Sequence, residues 1–138
     1  MKYLVDANVL SEPTKPVCSH RVSEWLNANE SDLIVNAVVL GEIWRGADAL
    51  PEGRKKKELI AWFQQVRGRM TCLDWTAETA IVWAEMVNRI KRSGFTVGMM
   101  DTMIAATAKL HGLTVATRNV EDFTRCGVDV VNPFDAQE

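Results

Sequence analysis

Three acidic residues of this chain lie in otherwise apolar sequence, where an ionised side chain is costly to bury. Asp6 follows the stretch YLV, Glu42 lies between AVVLG and IW, and Asp101 is the only charged residue of VGMMDTMIAATA. Each has an ordinary structural explanation on its own: a turn cap, a helix edge, or a favourable charge at a helix N-terminus. Brought together, they would repel one another and raise their pKa values unless a cation were bound.

A cluster of carboxylates would select a particular class of metal ion. Oxygen ligands suit Mg²⁺ or Mn²⁺, and Mg²⁺ usually keeps several waters while it uses one or two carboxylates. Neither His20 nor His111 lies near the three acids in sequence, which argues against zinc. The three cysteines form no CxxC pair, so a zinc site or a disulfide framework has no support. We therefore expect Mg²⁺, with Mn²⁺ as the alternative.

The composition is typical of one globular domain, which we expect to span residues 1–138. Hydrophobic residues make up 47% of the chain and charged residues 25%. No apolar run approaches the ~20 residues of a membrane span, and the N-terminus has no signal-peptide pattern. We expect a cytoplasmic protein with free thiols and no membrane contact. The net charge of −2 argues against a general polyanion-binding surface, so nucleic acid would have to contact local basic segments. The candidates are GRKKKE, RGR and RIKR, each with a solvated helix end or loop as the alternative.

Strand-like and helix-like segments alternate along the chain. Short apolar segments predict strands at residues 2–5, 32–36, 71–75, 113–117 and 128–133. Apolar residues at helical spacing predict helices at 20–30, at 37–50, after Gly53 as far as residue 70, at 77–93 and at 97–112. Asn36 is suited to cap the second of these helices, and Gly112 to end the last. This alternation predicts an α/β protein around a mainly parallel sheet.

Polar side chains follow several of the predicted strands. Asp6 comes after YLV, Asn36 after LIV, and Asn119 just past TVAT. Because parallel strands end at the same edge of a sheet, and sites form at that edge, the sequence predicts a functional site there.

Five segments then occur in an order that resembles a known family. They are VDANVLSE, AVVLGEIWRGADAL, MMDTMIAATAKLHG, TVATRNVEDF and the closing NPF. In these segments the chain resembles the PIN-domain ribonucleases, in particular the VapC and FitB type toxins of bacterial toxin–antitoxin pairs. The resemblance covers almost the whole chain. It implies a PIN-like three-layer α/β/α sandwich with a mainly parallel central sheet.

The resemblance assigns roles to the acidic residues. Asp6, Glu42 and Asp101 match the three acidic metal-site positions of the family, and Asn8 matches a position that commonly braces the site. Asp6 and Asp101 would hold the metal, with Glu42 bound directly or through water. Whether Glu42 or Asp101 also orients the attacking water as a base stays open, as does the number of metal ions.

The fourth acidic position of the family falls on Asn119, where this chain departs from the common pattern. An amide carries no charge, so it would contact metal-bound water or orient a ligand. Asp122, three residues later, is the alternative fourth group. We prefer Asn119, because it lies nearer the strand end. Arg118 is our candidate for a phosphate contact, with an ordinary surface arginine as the alternative.

The resemblance implies a magnesium-dependent endoribonuclease that hydrolyses RNA phosphodiester bonds and leaves 5′-phosphate and 3′-hydroxyl ends. It also implies a cognate antitoxin as partner and a homodimer. Two alternatives stay open. One is a PIN-fold nuclease that processes RNA without an antitoxin. The other is a catalytically inactive PIN binding module, which Asn119 suggests because it replaces an acidic residue. The identity of the RNA lies beyond the sequence.

Overall fold

The computed structural model describes residues 1–135, and a parallel sheet of five short strands lies at its centre. The strands are β1 (Tyr3–Val5), β2 (Leu33–Asn36), β3 (Thr71–Leu73), β4 (Thr114–Ala116) and β5 (Val130–Val131). Their order is β3-β2-β1-β4-β5, and each neighbouring pair is parallel. The three middle strands are almost entirely buried, which explains why they are continuous apolar runs rather than alternating ones.

Helices flank the sheet. They are α1 (Ala7–Leu10), α2 (His20–Ala28), α3 (Ala37–Asp48), α4 (Arg54–Arg69), α5 (Ala77–Arg92), α6 (Met99–His111) and α7 (Val120–Arg125). Helix α5 packs against α6, α3 packs against α4, and α7 packs against both α6 and β5. The predicted α/β/α sandwich around a parallel sheet is thereby confirmed.

The strand predictions are confirmed with trimmed ends. The helices predicted at 20–30 and 37–50 each end two residues early, and a 3₁₀ turn, Glu30–Asp32, follows the first of them. The segment that begins with Ala7 forms the four-residue helix α1 instead of a break after β1. A 3₁₀ turn, Glu12–Thr14, follows it within the predicted connector. The last long helix begins at Met99 rather than at residue 97. Helix α1 and the 3₁₀ turn at Glu12–Thr14 have too few residues for an apolar period to be visible in the sequence.

Two predicted helix ends are confirmed in detail. The Asn36 side chain accepts a hydrogen bond from the Val39 backbone N–H at 2.9 Å and so caps α3. Its amide also donates to the Thr107 hydroxyl at 3.1 Å, which ties the start of α3 to α6 inside the core. At the other end of α6, Gly112 has a φ of +66°, in the left-handed region that glycine adopts easily.

Across residues 1–135, no helix is both long enough and apolar enough to cross a membrane. Cys18, Cys72 and Cys126 are all free thiols.

Candidate functional site

Asp6 lies at the carboxyl edge of the sheet, and its side chain is 3% exposed. Its position is fixed by the backbone, because its N–H donates to the Ala116 carbonyl of the neighbouring strand at 2.9 Å. One carboxylate oxygen accepts a bond from the Ala7 N–H at 2.8 Å, so Asp6 caps α1. The other accepts bonds from the Thr117 hydroxyl at 2.7 Å and from the Asn8 amide at 3.1 Å. Burial raises the pKa of Asp6, and these three hydrogen bonds oppose the shift.

Thr117 is a residue of this site that the sequence prediction missed. Its side chain is fully buried, and its hydroxyl accepts a bond from the Asn119 N–H at 3.0 Å while it donates to Asp6. Asn8 closes the network, since its side-chain oxygen accepts a bond from the Arg118 N–H at 3.2 Å. These contacts join the segment after β1 to the segment after β4. The available signal was a hydroxyl just past a buried strand, but threonine is common in strands and does not stand out there.

Glu42 points from the second turn of α3 toward the same edge. Burial raises the pKa of Glu42 to about 7, the charges of Asp6 and Asp101 add to the shift, and the charge of Arg45 opposes it. In the described part of the chain, its buried Oε1 atom accepts no hydrogen bond. A buried carboxylate oxygen without a donor normally costs stability, which is the property expected of a ligand position.

Asp101 is the third residue of α6 and does not cap it. Gly98 occupies the cap position, and no side chain there bonds to the helix. Burial raises the pKa of Asp101 to about 6, with the charges of Asp6 and Asp122 as further causes. The structure therefore brings the three predicted acids within electrostatic reach of one another, because Asp6 raises the pKa of both Glu42 and Asp101.

The two candidates for the fourth position differ in their surroundings. Asn119 is exposed, precedes α7 without a side-chain capping bond, and contacts Thr117 through its backbone. Asp122 is half-buried in the first turn of α7, close enough to raise the pKa of Asp101. This placement gives Asp122 the stronger geometric claim, while the role of Asn119 stays a prediction.

The side chain of Arg118, the candidate for a phosphate contact, is engaged elsewhere, and so is that of Trp44, which lies two residues after Glu42. The Arg118 guanidinium carbon lies 3.6 Å from the centre of the Phe134 ring, so this arginine stacks on an aromatic face. Trp44 packs on Phe63, with ring centres 5.2 Å apart, and lines a different cavity from the one that contains Glu42. Arg45, by contrast, lies near enough to Glu42 to lower its pKa.

The donor set fits a hard divalent cation. The acids carry raised pKa values, and the buried oxygen of Glu42 lacks a donor; a cation would relieve both. Among residues 1–135, no three His, Cys, Asp or Glu side chains are close enough to hold one ion directly in this conformation. Asp6, Glu42 and Asp101 are the residues that would hold such an ion, and Mg²⁺ commonly uses only one or two carboxylates together with several waters.

Comparison with known proteins gives consistent results. The family model described as the PIN domain matches residues 3–128. The chain is 35% identical to Toxin FitB of Neisseria gonorrhoeae, over 95% of this chain and 97% of that protein. It is 31% identical to VapC ribonuclease Y4jK of Sinorhizobium fredii, over 96% and 97%. A solved structure of FitAB bound to an IR36 DNA fragment superposes with a TM-score of 0.90 at 33% identity, covering 99% of this chain and 98% of the other.

Proposed function

The chain belongs to the PIN-domain family, and from that premise we propose that it is the toxin of a toxin–antitoxin pair and acts as a metal-dependent endoribonuclease on RNA. The observation that carries the proposal is the buried Glu42 oxygen without a hydrogen-bond donor, within electrostatic reach of Asp6 and Asp101 at the carboxyl edge of the sheet. Relatives named as a toxin and as a ribonuclease support the biological role and the reaction.

We infer that Asp6 and Asp101 hold a divalent cation, with Mg²⁺ as the physiological ion and Mn²⁺ as a substitute. When bound, such a cation lowers the pKa of water and offsets charge on the phosphate and the leaving group. Asp6 is suited to hold it because three donors fix its carboxylate before any ligand arrives.

Glu42 is the candidate for the proton-accepting group. Burial and the charges of Asp6 and Asp101 raise the pKa of Glu42 to about 7 in the metal-free protein. A bound cation would lower this pKa, so that the carboxylate would be ionised at neutral pH and able to accept a proton. A water between Glu42 and the phosphate would lose its proton to the carboxylate as it attacks phosphorus. Arg45 lies near this carboxylate and would keep part of its population ionised.

We propose two partners for this chain. One is a small antitoxin that blocks the site, and the other is a second copy of the chain, which forms a homodimer with it. A solved FitAB complex, similar over nearly the whole chain, supports the first of these. We further propose a single PIN domain for the whole chain, acting in the cytoplasm.

The test is cleavage of purified total bacterial RNA with Mg²⁺, with Mn²⁺ or with a chelator, followed by mapping of the new 5′ ends. Asp6→Asn and Asp101→Asn should lose at least about a hundredfold in rate, since each removes a charge that holds the cation. Asp48→Asn is the matched control, because Asp48 is exposed at the end of α3. A wild-type protein that cleaves no RNA with either ion would favour the inactive binding module.

Cleavage mapping together with a growth assay addresses the alternative of an RNA-processing nuclease without an antitoxin. A toxin should cut a few sites, arrest growth when expressed alone, and be neutralised by co-expression of the neighbouring reading frame. Cleavage without growth arrest would favour the processing nuclease.

A further inference from the structure

A groove begins at the acidic cluster and runs toward the start of α4. Its first cavity, about 340 Å³, is lined at the site end by Asn8 and Glu42 and further along by Ser11, Thr14 and Lys55. A second cavity of about 360 Å³ shares Thr14 and Lys55 with the first. Because they share these residues, the two cavities adjoin and form one depression that leads away from the site.

Lys55 is a basic residue that lines both cavities of this groove. It belongs to the basic run Arg54–Lys57, in which Arg54 and Lys56 are each paired with a glutamate one helical turn away. In the described part of the chain neither Lys55 nor Lys57 has an ion pair, and of these two only Lys55 lines the groove. The groove therefore has negative charge at its catalytic end and the ammonium group of Lys55 further along. The other charged residues of the second cavity, Lys15 and Glu58, are each paired with another side chain.

The groove also offers hydroxyl oxygens as hydrogen-bond acceptors. The Ser11 hydroxyl donates to the Ala7 carbonyl at 2.7 Å, and the Thr14 hydroxyl donates to the Ser11 carbonyl at 2.6 Å. Since each hydrogen is already used, the oxygens act toward a ligand as acceptors. The ribose 2′-hydroxyl is a donor that would match them, and DNA lacks this group.

We propose that this groove holds the RNA strand beside the scissile phosphate, with the Lys55 ammonium bound to a backbone phosphate and the Ser11 and Thr14 oxygens accepting hydrogen bonds from ribose. The inference rests on the proposed nuclease function and adds to it the path of the substrate. Lysine binds phosphate as a point charge, so this contact gives affinity without sequence preference.

The test compares Lys55→Gln with Lys57→Gln on a single-stranded oligoribonucleotide that contains a cleavage site mapped for the wild type. Lys55→Gln should raise KM about five- to tenfold, leave kcat within about twofold, and reduce the slope of log(kcat/KM) against log[salt] by about 0.7. Lys57→Gln neighbours it on the same helix and should change neither parameter. Lys55→Arg keeps the charge and should restore KM to within about twofold of the wild type.

The outcomes separate this inference from the proposed function. If the wild type shows no metal-dependent cleavage of RNA, the proposed function itself is wrong. If the wild type cleaves RNA but Lys55→Gln and Lys57→Gln have the same KM and the same salt slope, the groove does not carry the substrate. A protein partner would then be the better candidate for the occupant of this groove.

Discussion

At the scale of single residues, Asp6 receives more fixed contacts than any other acid of the cluster. Its donors come from two separate segments, since Ala7 and Asn8 follow β1 and Thr117 follows β4. A carboxylate held from both sides cannot turn away when its pKa changes or when a ligand leaves. The orientation needed to bind a cation is therefore built into the metal-free fold.

Thr117→Val tests this positioning role. The substitution nearly preserves shape but removes the hydroxyl that holds Asp6 at 2.7 Å, so the carboxylate can rotate. We expect the Mg²⁺ concentration for half-maximal cleavage to rise about ten- to a hundredfold, as for other groups that orient a metal ligand. Thr117→Ser keeps the hydroxyl and should restore most of the affinity.

Thr79→Val is the matched control, because Thr79 is another buried threonine whose hydroxyl is bonded, in its case to Thr76. It should lower stability without changing the Mg²⁺ dependence. Equal Mg²⁺ dependence for Thr117→Val and the wild type would show that Thr117 is only a packing residue.

A second residue-scale prediction concerns the fourth position. Because the charge of Asp122 acts on Asp101, we expect Asp122→Ala to lower the rate at subsaturating Mg²⁺ about tenfold or more. Asn119→Ala keeps the backbone N–H that bonds Thr117, so it should cost less than about threefold. The measurement is cleavage rate against Mg²⁺ concentration for both variants. A larger loss in Asn119→Ala would restore the preference suggested by the sequence.

These residues show which parts of the site could be predicted from the sequence. Asp6, Glu42 and Asp101 stood out because a carboxylate in an apolar segment is unusual, and the structure brings all three within electrostatic reach of one another. Thr117 did not stand out, since a hydroxyl in TVAT is ordinary for a strand. The nearness of Asp122 to Asp101 depends on how α7 packs against α6, a contact that no local pattern contains.

At the scale of elements, the alternation of strands and helices was predictable because each buried strand is a short apolar run and each long helix has an apolar face. Helix α1 was not predictable, because it has only four residues and because Asp6, which caps it, also belongs to the acidic site. The placement of Glu42, by contrast, follows from an element boundary that the sequence predicts. Helix α3 begins directly at the end of β2, so the cap on Asn36 determines where Glu42 is placed.

Asn36→Ala should therefore affect both stability and catalysis. It removes the cap to the Val39 N–H and the bond to Thr107, for a loss of about 2 kcal/mol in the free energy of unfolding. The rate should fall as well, because the first turn of α3 frays beneath Glu42. Denaturant unfolding and cleavage rate measure the two effects.

Thr76→Ala is the comparison, since Thr76 caps α5 in a similar way through the Thr79 N–H. It should lower stability by about 1 kcal/mol and leave the rate per folded molecule unchanged. If Asn36→Ala also leaves that rate unchanged, the placement of Glu42 does not depend on its cap.

At the scale of the whole molecule, the acidic cluster stores repulsion that the rest of the fold must offset. A net charge of −2 provides no general excess of positive charge to screen it. The pKa values of Glu42 and Asp101 are raised to about 7 and about 6 in the folded protein, above 4.5 and 3.8 for the free groups. The folded state therefore binds these protons more tightly than the unfolded state does.

These raised pKa values make the free energy of unfolding of the metal-free protein depend on pH. A carboxyl group with a raised folded pKa contributes stability that is fully present below its unfolded pKa and is lost as the pH rises through its folded pKa. In the metal-free protein, the contribution of Glu42 should be lost between pH 4.5 and about 7. The melting temperature of the wild type should fall over this range relative to that of Glu42→Gln, which has no proton to lose.

Millimolar Mg²⁺ should reverse this loss, and only at the pH where the carboxylates are ionised. A cation that binds the folded state raises the melting temperature, and it competes with protons for the same oxygens. We expect an upward shift of several degrees near pH 8 and almost none near pH 5, with a smaller shift in Glu42→Gln. Glu85→Gln, which alters an exposed residue of α5, should follow the wild type at both pH values. A shift of equal size at the two pH values would mean that the ion binds elsewhere. The same curves for wild type and Glu42→Gln would mean that Glu42 does not contribute to ion binding.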